Sequence, residues 1–418
     1  MLEQENSQRS VIVLGAGIVG TCVAITLLQE GYRVTIVDRE GPAAGASSGN
    51  AGAISPGSCI PLATPGMLKQ VPKWLLEQDG PLVIRPSYAL QAMPWLLRFL
   101  ASSRPDRFER ICDALYALHS RTHQCYEPIL KFANASALIR RTGSLTVYET
   151  ASAFQSSLSS WEARARRGAR HEVLSTDQIE ELVPVLGRRF PGAVLQPDHA
   201  YIADPHKLVT SFFDAACGAG AKFLRDEALS ISDTSDGASV RLASARVISA
   251  GQVIVATGAA SRQLTRTRGL DVPLERQRGY HLDLPTPGVE LPLPVSFASS
   301  KFYATPMANG IRLAGTVEFA RPSAKPNFSR SDRLGRMASR WIDGLQLEGA
   351  TRWMGNRPCL PDSLPVIDRA APGSNVILAF GHGHNGMTSA PVTARLVADI
   401  IARRKPFIDL APYRANRF

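Results

Sequence analysis

The stretch VIVLGAGIVG at 11–20 limits the folds open to this chain more than any other. Val11, Ile12, Val13 and Leu14 form an unbroken apolar run, as a parallel strand buried on both faces requires. Gly15, Gly17 and Gly20 follow in G-x-G-x-x-G spacing, and a second apolar run, YRVTIVDRE, carries Asp38 near its end. The glycines answer different needs: a tight turn, close approach of backbone to a pyrophosphate, and close packing of the following helix. A carboxylate at the end of the second strand accepts hydrogen bonds from a ribose diol. Strand, glycine turn, helix and acidic strand end, in that order, predict an adenine dinucleotide site.

The stretch 11–28 carries no charge, so it also fits a membrane span or the apolar core of a signal peptide. Three glycines within it, Glu3 and Glu5 before it and Asp38 after it favour the buried strand-turn-helix.

A chain of 418 residues can bury a large core, and this length predicts two domains or one composite. A net charge of +11 invites an acidic partner. The basic residues are scattered, however, with short clusters only at Arg164, Arg166 and Arg167 and at Arg403, Arg404 and Lys405. No nucleic-acid motif accompanies them, which argues against nucleic acid as the partner. The 6 cysteines are widely spaced without a C-x-x-C pair and read as reduced thiols. The 8 histidines show no ligand spacing, so no metal is predicted. With no signal peptide or span recognised, the expected location is the cytoplasm, free or peripherally attached to the inner face of the plasma membrane.

Residues 1–9 are polar and expected to fray. The small-residue stretch 41–57 suits backbone passing close to a flat ligand while supplying N–H and hydroxyl donors. From 60 to 132 the pattern is helical, in MLKQVPKWLLEQ, in YALQAMPWLLRFLAS and in one long helix over 106–132. Pro72 and Pro94 are expected to start or kink turns. Trp74, Trp95, Leu96, Leu97, Phe99 and Leu100 stand among Lys69, Lys73 and Arg98, a pattern that fits an anionic membrane surface. The core-facing sides of ordinary helices are the favoured reading of the same residues.

Further on, 145–149 predicts a strand and 151–167 an amphipathic helix, while Ser175 and Gln178 form a capping box for a helix through Leu182. Asp204 as N-cap and Pro205 as first helical residue open a helix to about Cys217, and 222–224 predicts a strand. A small meander is expected near 239–248, and the buried strand in 251–261 should return Gly258 to the dinucleotide. The chain is β-rich from Pro273, with helices expected at 332–345 and 388–403, a strand at 375–380 and a glycine turn in GHGHNG.

VIVLGAGIVG, SGNAGAISPG, ADPHKL, VIVATGA, RGYHL, RPCLPDSLPVID and GHGHNG occur in the order seen in the D-amino-acid oxidase-like family of flavoproteins, which the chain resembles nearly end to end. The insertion from Pro56 to about Arg110 is most similar to bacterial D-amino-acid dehydrogenases. The resemblance implies an α/β fold in which a discontinuous Rossmann-like FAD-binding domain (1–70, 198–270, 356–418) is interleaved with an α+β substrate domain (71–197, 271–355) built on an antiparallel sheet. It also implies noncovalent FAD, since Cys359 does not stand where related sarcosine oxidases carry their tethering cysteine.

Carried over by position, Gly15, Gly17, Ile18, Val19 and Gly20 match the pyrophosphate turn, and Asp38 with Arg39 the ribose end. Ser47, Ser48, Asn50, Ala51 and Gly52 match the loop that passes the flavin. Gly258 matches a further turn, and Gly381, Gly383, His384, Asn385, Gly386 and Met387 match the turn against the flavin ring. GHGHNGMT departs here from the commoner GHGTLGWT. Arg357 matches the carboxylate-binding arginine, Tyr280 and Tyr303 are candidate carboxylate or lid contacts, and His382 is a candidate catalytic residue. The implied reaction is oxidation of a D-amino acid by hydride transfer to flavin N5, giving a 2-oxo acid and ammonia, with electrons passed to a membrane quinone or another acceptor. Alternatives are an oxygen-using oxidase of glycine or sarcosine-type amines, a chain of a proline-type imino-acid dehydrogenase, a nicotinamide-dependent dehydrogenase, and a binding protein anchored through 11–28.

Overall fold

The computed structural model describes residues 9–67 and 82–418. Residues 1–8 and 68–81 lie outside the described residues, and with them most of MLKQVPKWLLEQ, including Lys69, Pro72, Lys73 and Trp74.

Ser10–Leu14 lies inside a six-stranded sheet ordered Lys222–Arg225, Arg33–Asp38, Ser10–Leu14, Gln252–Val255, Val376–Phe380, Val366–Arg369. The first five strands are parallel and the last is antiparallel. Successive side chains of a strand face opposite sides, which explains the unbroken apolar run. Val11 and Val13 pack with helices Ile18–Gln29 and Gly386–Ile401 on one face. Ile12 and Leu14 pack on the other against the meander Ala228–Thr234, Gly237–Leu242 and Val247–Ala250. The stretch 11–28 is therefore strand, turn and helix in a buried core and serves as no anchor; no helix among the described residues is long and apolar enough to cross a membrane.

A second sheet is ordered Thr351–Cys359, Glu275–Leu284, Gly310–Phe319, Phe302–Met307, Val295–Phe297, Ser144–Tyr148, Gly192–Gln196, Glu172–Leu174, with Leu82–Ile84 also paired to Gly310–Phe319. Two of its pairings are parallel, so the sheet is mixed where an antiparallel one was expected. The expected division between 355 and 356 falls inside the continuous strand Thr351–Cys359.

Local signals place several helices closely. Ser175 and Gln178 form the capping box of Thr176–Leu182, and Asp204 Oδ1 accepts the Lys207 N–H at 2.9 Å to open Pro205–Gly218. The long helix expected over 106–132 is instead two, Pro105–His119 and Thr122–Phe132. Thr122 marks the break: its hydroxyl lies 2.7 Å from the His119 carbonyl and 2.8 Å from the distant Thr388 carbonyl. The helix expected at 332–345 runs earlier, over Ser329–Ala338. Pro94 sits inside the helix Ala89–Ser102. In that helix Trp95 is buried and stacked on Phe99, whereas Leu97 is 60% exposed, so the core-facing reading holds for one side of it.

Candidate active site

The glycine turn separates into two kinds of position. Gly15 has φ +106°, and a Cβ there would lie 2.4 Å from the Ala256 carbonyl oxygen; a Cβ on Gly20 would lie 1.9 Å from that of Gly15. Packing alone therefore requires both glycines. A Cβ on Gly17 would meet only the Ser47 hydroxyl, at 3.2 Å, so this position faces space. Gly17 is also the N-cap of Ile18–Gln29 and brings no side chain to cap it, although Ser47 Oγ accepts the Ile18 N–H at 3.1 Å. A helix start whose N-cap residue has no side chain, with open space before it, suits a pyrophosphate. Asp38 closes the turn: Oδ2 accepts the Ala16 N–H and Oδ1 those of Glu40 and Gly41, each at 2.9 Å. Arg39 pairs with Glu40 at 3.0 Å and Glu227 at 3.5 Å.

A cavity of about 1220 Å³ extends from this turn to the strand Thr351–Cys359. Gly15, Gly17, Ile18, Val19, Asp38 and Arg39 line it at one end, followed by Ser47, Asn50, Ala51 and Gly258. Tyr280, Tyr303, Arg357 and the turn His382, Gly383, His384, Asn385, Gly386, Met387 also line it. Gly20, Ser48, Gly52 and Gly381 do not, and pack against other parts of the protein. The Ser48 carbonyl accepts from Arg312 Nη1 at 3.1 Å, and a Cβ on Gly52 would lie 2.6 Å from the Ile202 carbonyl oxygen. On Gly381 a Cβ would lie 2.3 Å from Leu360 Cδ1.

Arg312 was not foreseen. It ties the small-residue loop in place by donating to the Ser48 carbonyl and, at 2.7 Å, to that of Asn50, while pairing with Asp283 at 2.7 Å. Burial works against the Asp283 charge, but hydrogen bonds from His281 and Arg312 hold its carboxyl well below the usual range.

Arg357 is set by strand register. Its strand pairs antiparallel with Glu275–Leu284, Gln277 opposite Arg357 and Gly279 opposite Gly355. The guanidinium lies over Gly279, and Nη1 donates to the Thr316 carbonyl at 3.0 Å. That carbonyl is presented by a bulge: Thr316 and Val317 stand opposite Gly279 alone, and Thr316 has φ +61°. No carboxylate pairs with Arg357 among the described residues, and burial lowers its pKa. A half-buried guanidinium on a cavity wall without an acid partner is suited to an anionic ligand.

Tyr280 and His382 line the cavity with their polar atoms bonded to protein groups. The Tyr280 hydroxyl donates to Glu318 Oε2 at 2.5 Å and accepts the Asn327 N–H at 3.0 Å, so it is held by protein groups. His382 Nε2 lies 2.9 Å from the Thr393 hydroxyl, and burial lowers its pKa to about 3; its ring anchors the glycine turn to the helix behind. His384 is the histidine under the influence of Arg357: it is exposed to the open cavity, and desolvation by the protein around it and then the Arg357 charge lower its pKa. Tyr303 lines the cavity, and burial raises its pKa to about 12.

The helix Gly386–Ile401 starts on the cavity with no side-chain cap from Asn385. Pro391 inside it has no N–H for the Met387 carbonyl, and Tyr126 donates its hydroxyl there at 2.6 Å. The buried helix is thereby kept intact with its positive end at the cavity. Two helix starts without a cap from their own N-cap residues, the open face of Gly17 and the Asp38 strand end fit FAD.

The FAD dependent oxidoreductase family matches residues 10–400. The chain belongs to this family. This FAD-dependent oxidoreductase is 34% identical over 417 residues to a D-amino-acid oxidase of Bradyrhizobium diazoefficiens, across 98% of the chain and 99% of that protein. It is 34% identical over 433 residues to D-amino acid dehydrogenase 2 of Ralstonia nicotianae, across 97% of the chain and 100% of that protein. Glycine oxidase from Geobacillus kaustophilus shares the fold, with a TM-score of 0.75 at 20% identity and coverage of 98% of both chains. Membership of the family sets aside the nicotinamide-dependent alternative.

Proposed function

We propose that this flavoenzyme oxidises D-amino acids to 2-oxo acids and ammonia and passes the electrons to a quinone or another acceptor. The observation that carries the reading is Arg357, a guanidinium without an acid partner on the wall of the FAD cavity. Bound FAD supplies the two-electron acceptor. The chain supplies position and charge. The Arg357 fork pairs with the substrate carboxylate in bidentate fashion, which fixes orientation as well as location, while Thr316 and Gly279 hold the fork. The neutral His384 ring borders the site without adding a second positive charge. The start of Gly386–Ile401 favours negative charge at the same cavity.

The carboxylates that line the cavity among the described residues are Asp38, Glu40, Asp226 and Glu227. They group at the glycine-turn end, where the Asp226 N–H donates to the Asp38 carbonyl at 3.1 Å and Arg39 joins Glu40 to Glu227. No carboxylate lines the Arg357 end to take a proton from the α-carbon, and the site acts by orientation and electrostatics. The freed imino acid takes up water and releases ammonia.

The two bacterial relatives named for D-amino acids support this substrate class. One of them is named an oxidase, which favours oxygen as the acceptor in a second reading. The test is the visible spectrum of the purified protein, followed anaerobically as D-alanine, D-proline, L-proline and sarcosine are added in turn. Bleaching of the flavin band by the D-amino acids alone is the expected result. Bleaching only by sarcosine or L-proline would overturn it, and stoichiometric hydrogen peroxide in air would assign the oxidase reading.

A further inference from the structure

Beside the FAD cavity lies a second cavity of about 680 Å³, and Ser296, Lys301 and Tyr303 line both. Its floor is formed by polar groups from three separate parts of the chain. Helix Ala151–Ala165 contributes Ser156, Ser157, Ser160 and Arg164; strand Ser144–Tyr148 contributes Ser144 and Thr146. His199 closes one side, its Nδ1 2.9 Å from the Ser144 hydroxyl. Burial and then the Arg164 charge lower the His199 pKa to about 3, so the ring is neutral near pH 7. The positive charge of the cavity comes from arginine and lysine, and no Asp or Glu lines it among the described residues.

Arg164 is the informative side chain. Its guanidinium carbon lies 4.5 Å from the centre of the Trp161 ring, and Nη1 donates to the Ser160 hydroxyl at 2.6 Å and carbonyl at 3.2 Å. Two neighbouring arginines have acid partners: Arg167 pairs with Glu109 and Asp113, and Arg170 with Asp198. Arg164 has none among the described residues, and burial is the largest influence on its charge. A desolvated guanidinium without a counter-charge is costly, and it is relieved by an oxyanion that its planar fork can grip. Hydroxyls around the fork supply the remaining donors.

We infer that this second cavity is a binding site for the carboxylate of a small organic acid, held by Arg164 and the surrounding serine hydroxyls. The inference stands apart from the assignment of D-amino acids to Arg357. Because Ser296, Lys301 and Tyr303 line both cavities, two sources of the same group fit the site. One is the side-chain carboxylate of an acidic amino acid whose α-carboxylate is at Arg357; the other is a separate carboxylic acid seated beside an occupied active cavity.

The test is calorimetric titration of the FAD-loaded enzyme with succinate, comparing the parent chain with Arg164→Gln and Ser156→Glu. Ser156 is an exposed helix position, so its variant places a repelling charge in the cavity without disturbing packing. Both variants are expected to weaken succinate binding at least tenfold while turnover of neutral D-alanine stays unchanged. Kinetics with D-glutamate separate the sources. A tenfold rise in KM for D-glutamate in Arg164→Gln, with D-alanine unaffected, assigns the substrate side chain. Unchanged KM values for both, with succinate binding weakened in the variants, assign a separate acid. No succinate binding by the parent enzyme, or equal binding by all three proteins, would overturn the site. Arg164-dependent binding in an enzyme that turns over no D-amino acid would overturn the substrate reading and leave this site standing.

Discussion

The Arg357 guanidinium rests on the α-carbon of Gly279, where a Cβ would lie 2.2 Å from Cζ. Gly279→Ala must therefore displace the fork from the Thr316 carbonyl. The expected outcome is a KM at least tenfold higher for the amino acid with full FAD content, measured by steady-state kinetics alongside flavin absorbance. An unchanged KM would show that the fork plays no part in substrate binding.

Arg357→Lys keeps the positive charge and loses the planar fork. KM should rise at least tenfold, a loss of about 1.4 kcal/mol in binding, while FAD remains bound. Equal kinetics in the variant and the parent would remove Arg357 from the site.

Alanine at the first and second glycines of the turn should have different consequences. In Gly15→Ala the new Cβ meets the Ala256 carbonyl at φ +106°, so urea unfolding should show a loss of about 1–3 kcal/mol even without cofactor. In Gly17→Ala the nearest neighbour is the Ser47 hydroxyl at 3.2 Å, so the apoprotein should keep its stability. Its FAD dissociation constant should rise tenfold or more, as read by fluorescence titration, because the methyl group projects into the space before the helix.

Acid should destabilise the protein before its carboxylates titrate. Burial is the first cause that lowers the pKa of His119 to about 4 and those of His199 and His382 to about 3. The unfolded chain takes up these protons below about pH 6.5, whereas the native state resists them, so stability falls from there down to the native pKa values. Each histidine removes at most about 1.4 kcal/mol per pH unit in that window. Urea midpoints at pH 7 and pH 5 check the prediction; equal midpoints would refute it.

FAD should leave the protein on acid precipitation, with the yellow colour in the supernatant. Cys359 is 3% exposed, and burial pushes its thiol up to about 12, which leaves little thiolate for a tether. A yellow pellet would contradict this.

The features legible in the sequence are those whose causes lie within a few residues. The unbroken apolar run Val11 to Leu14 packing on both faces, the glycine turn, the Ser175 capping box and the Asp204-Pro205 helix start each reflect short-range sterics or hydrogen bonds. The RPCLPDSLPVID phrase likewise marked Arg357, which the structure brings to the same cavity as the opening turn.

Other features depend on partners hundreds of residues away or on strand register. Thr122 breaks a helix between two otherwise helical segments and its hydroxyl also meets the Thr388 carbonyl. Tyr280 and His382 carry side chains suited to catalysis, but Glu318 and Thr393 occupy their polar atoms. Thr316 meets Arg357 where one extra residue bulges its strand at Gly279, and Arg164 has no acid partner among the described residues while Glu109, Asp113 and Asp198 pair with Arg167 and Arg170. The sequence by itself determined the dinucleotide turn, the order of the main elements and the family, because backbone propensity and local capping are written in adjacent residues. Tertiary structure decided which polar side chains remain available to a ligand, because that depends on long-range register and packing, in which one hydrogen bond made elsewhere removes a candidate from the site.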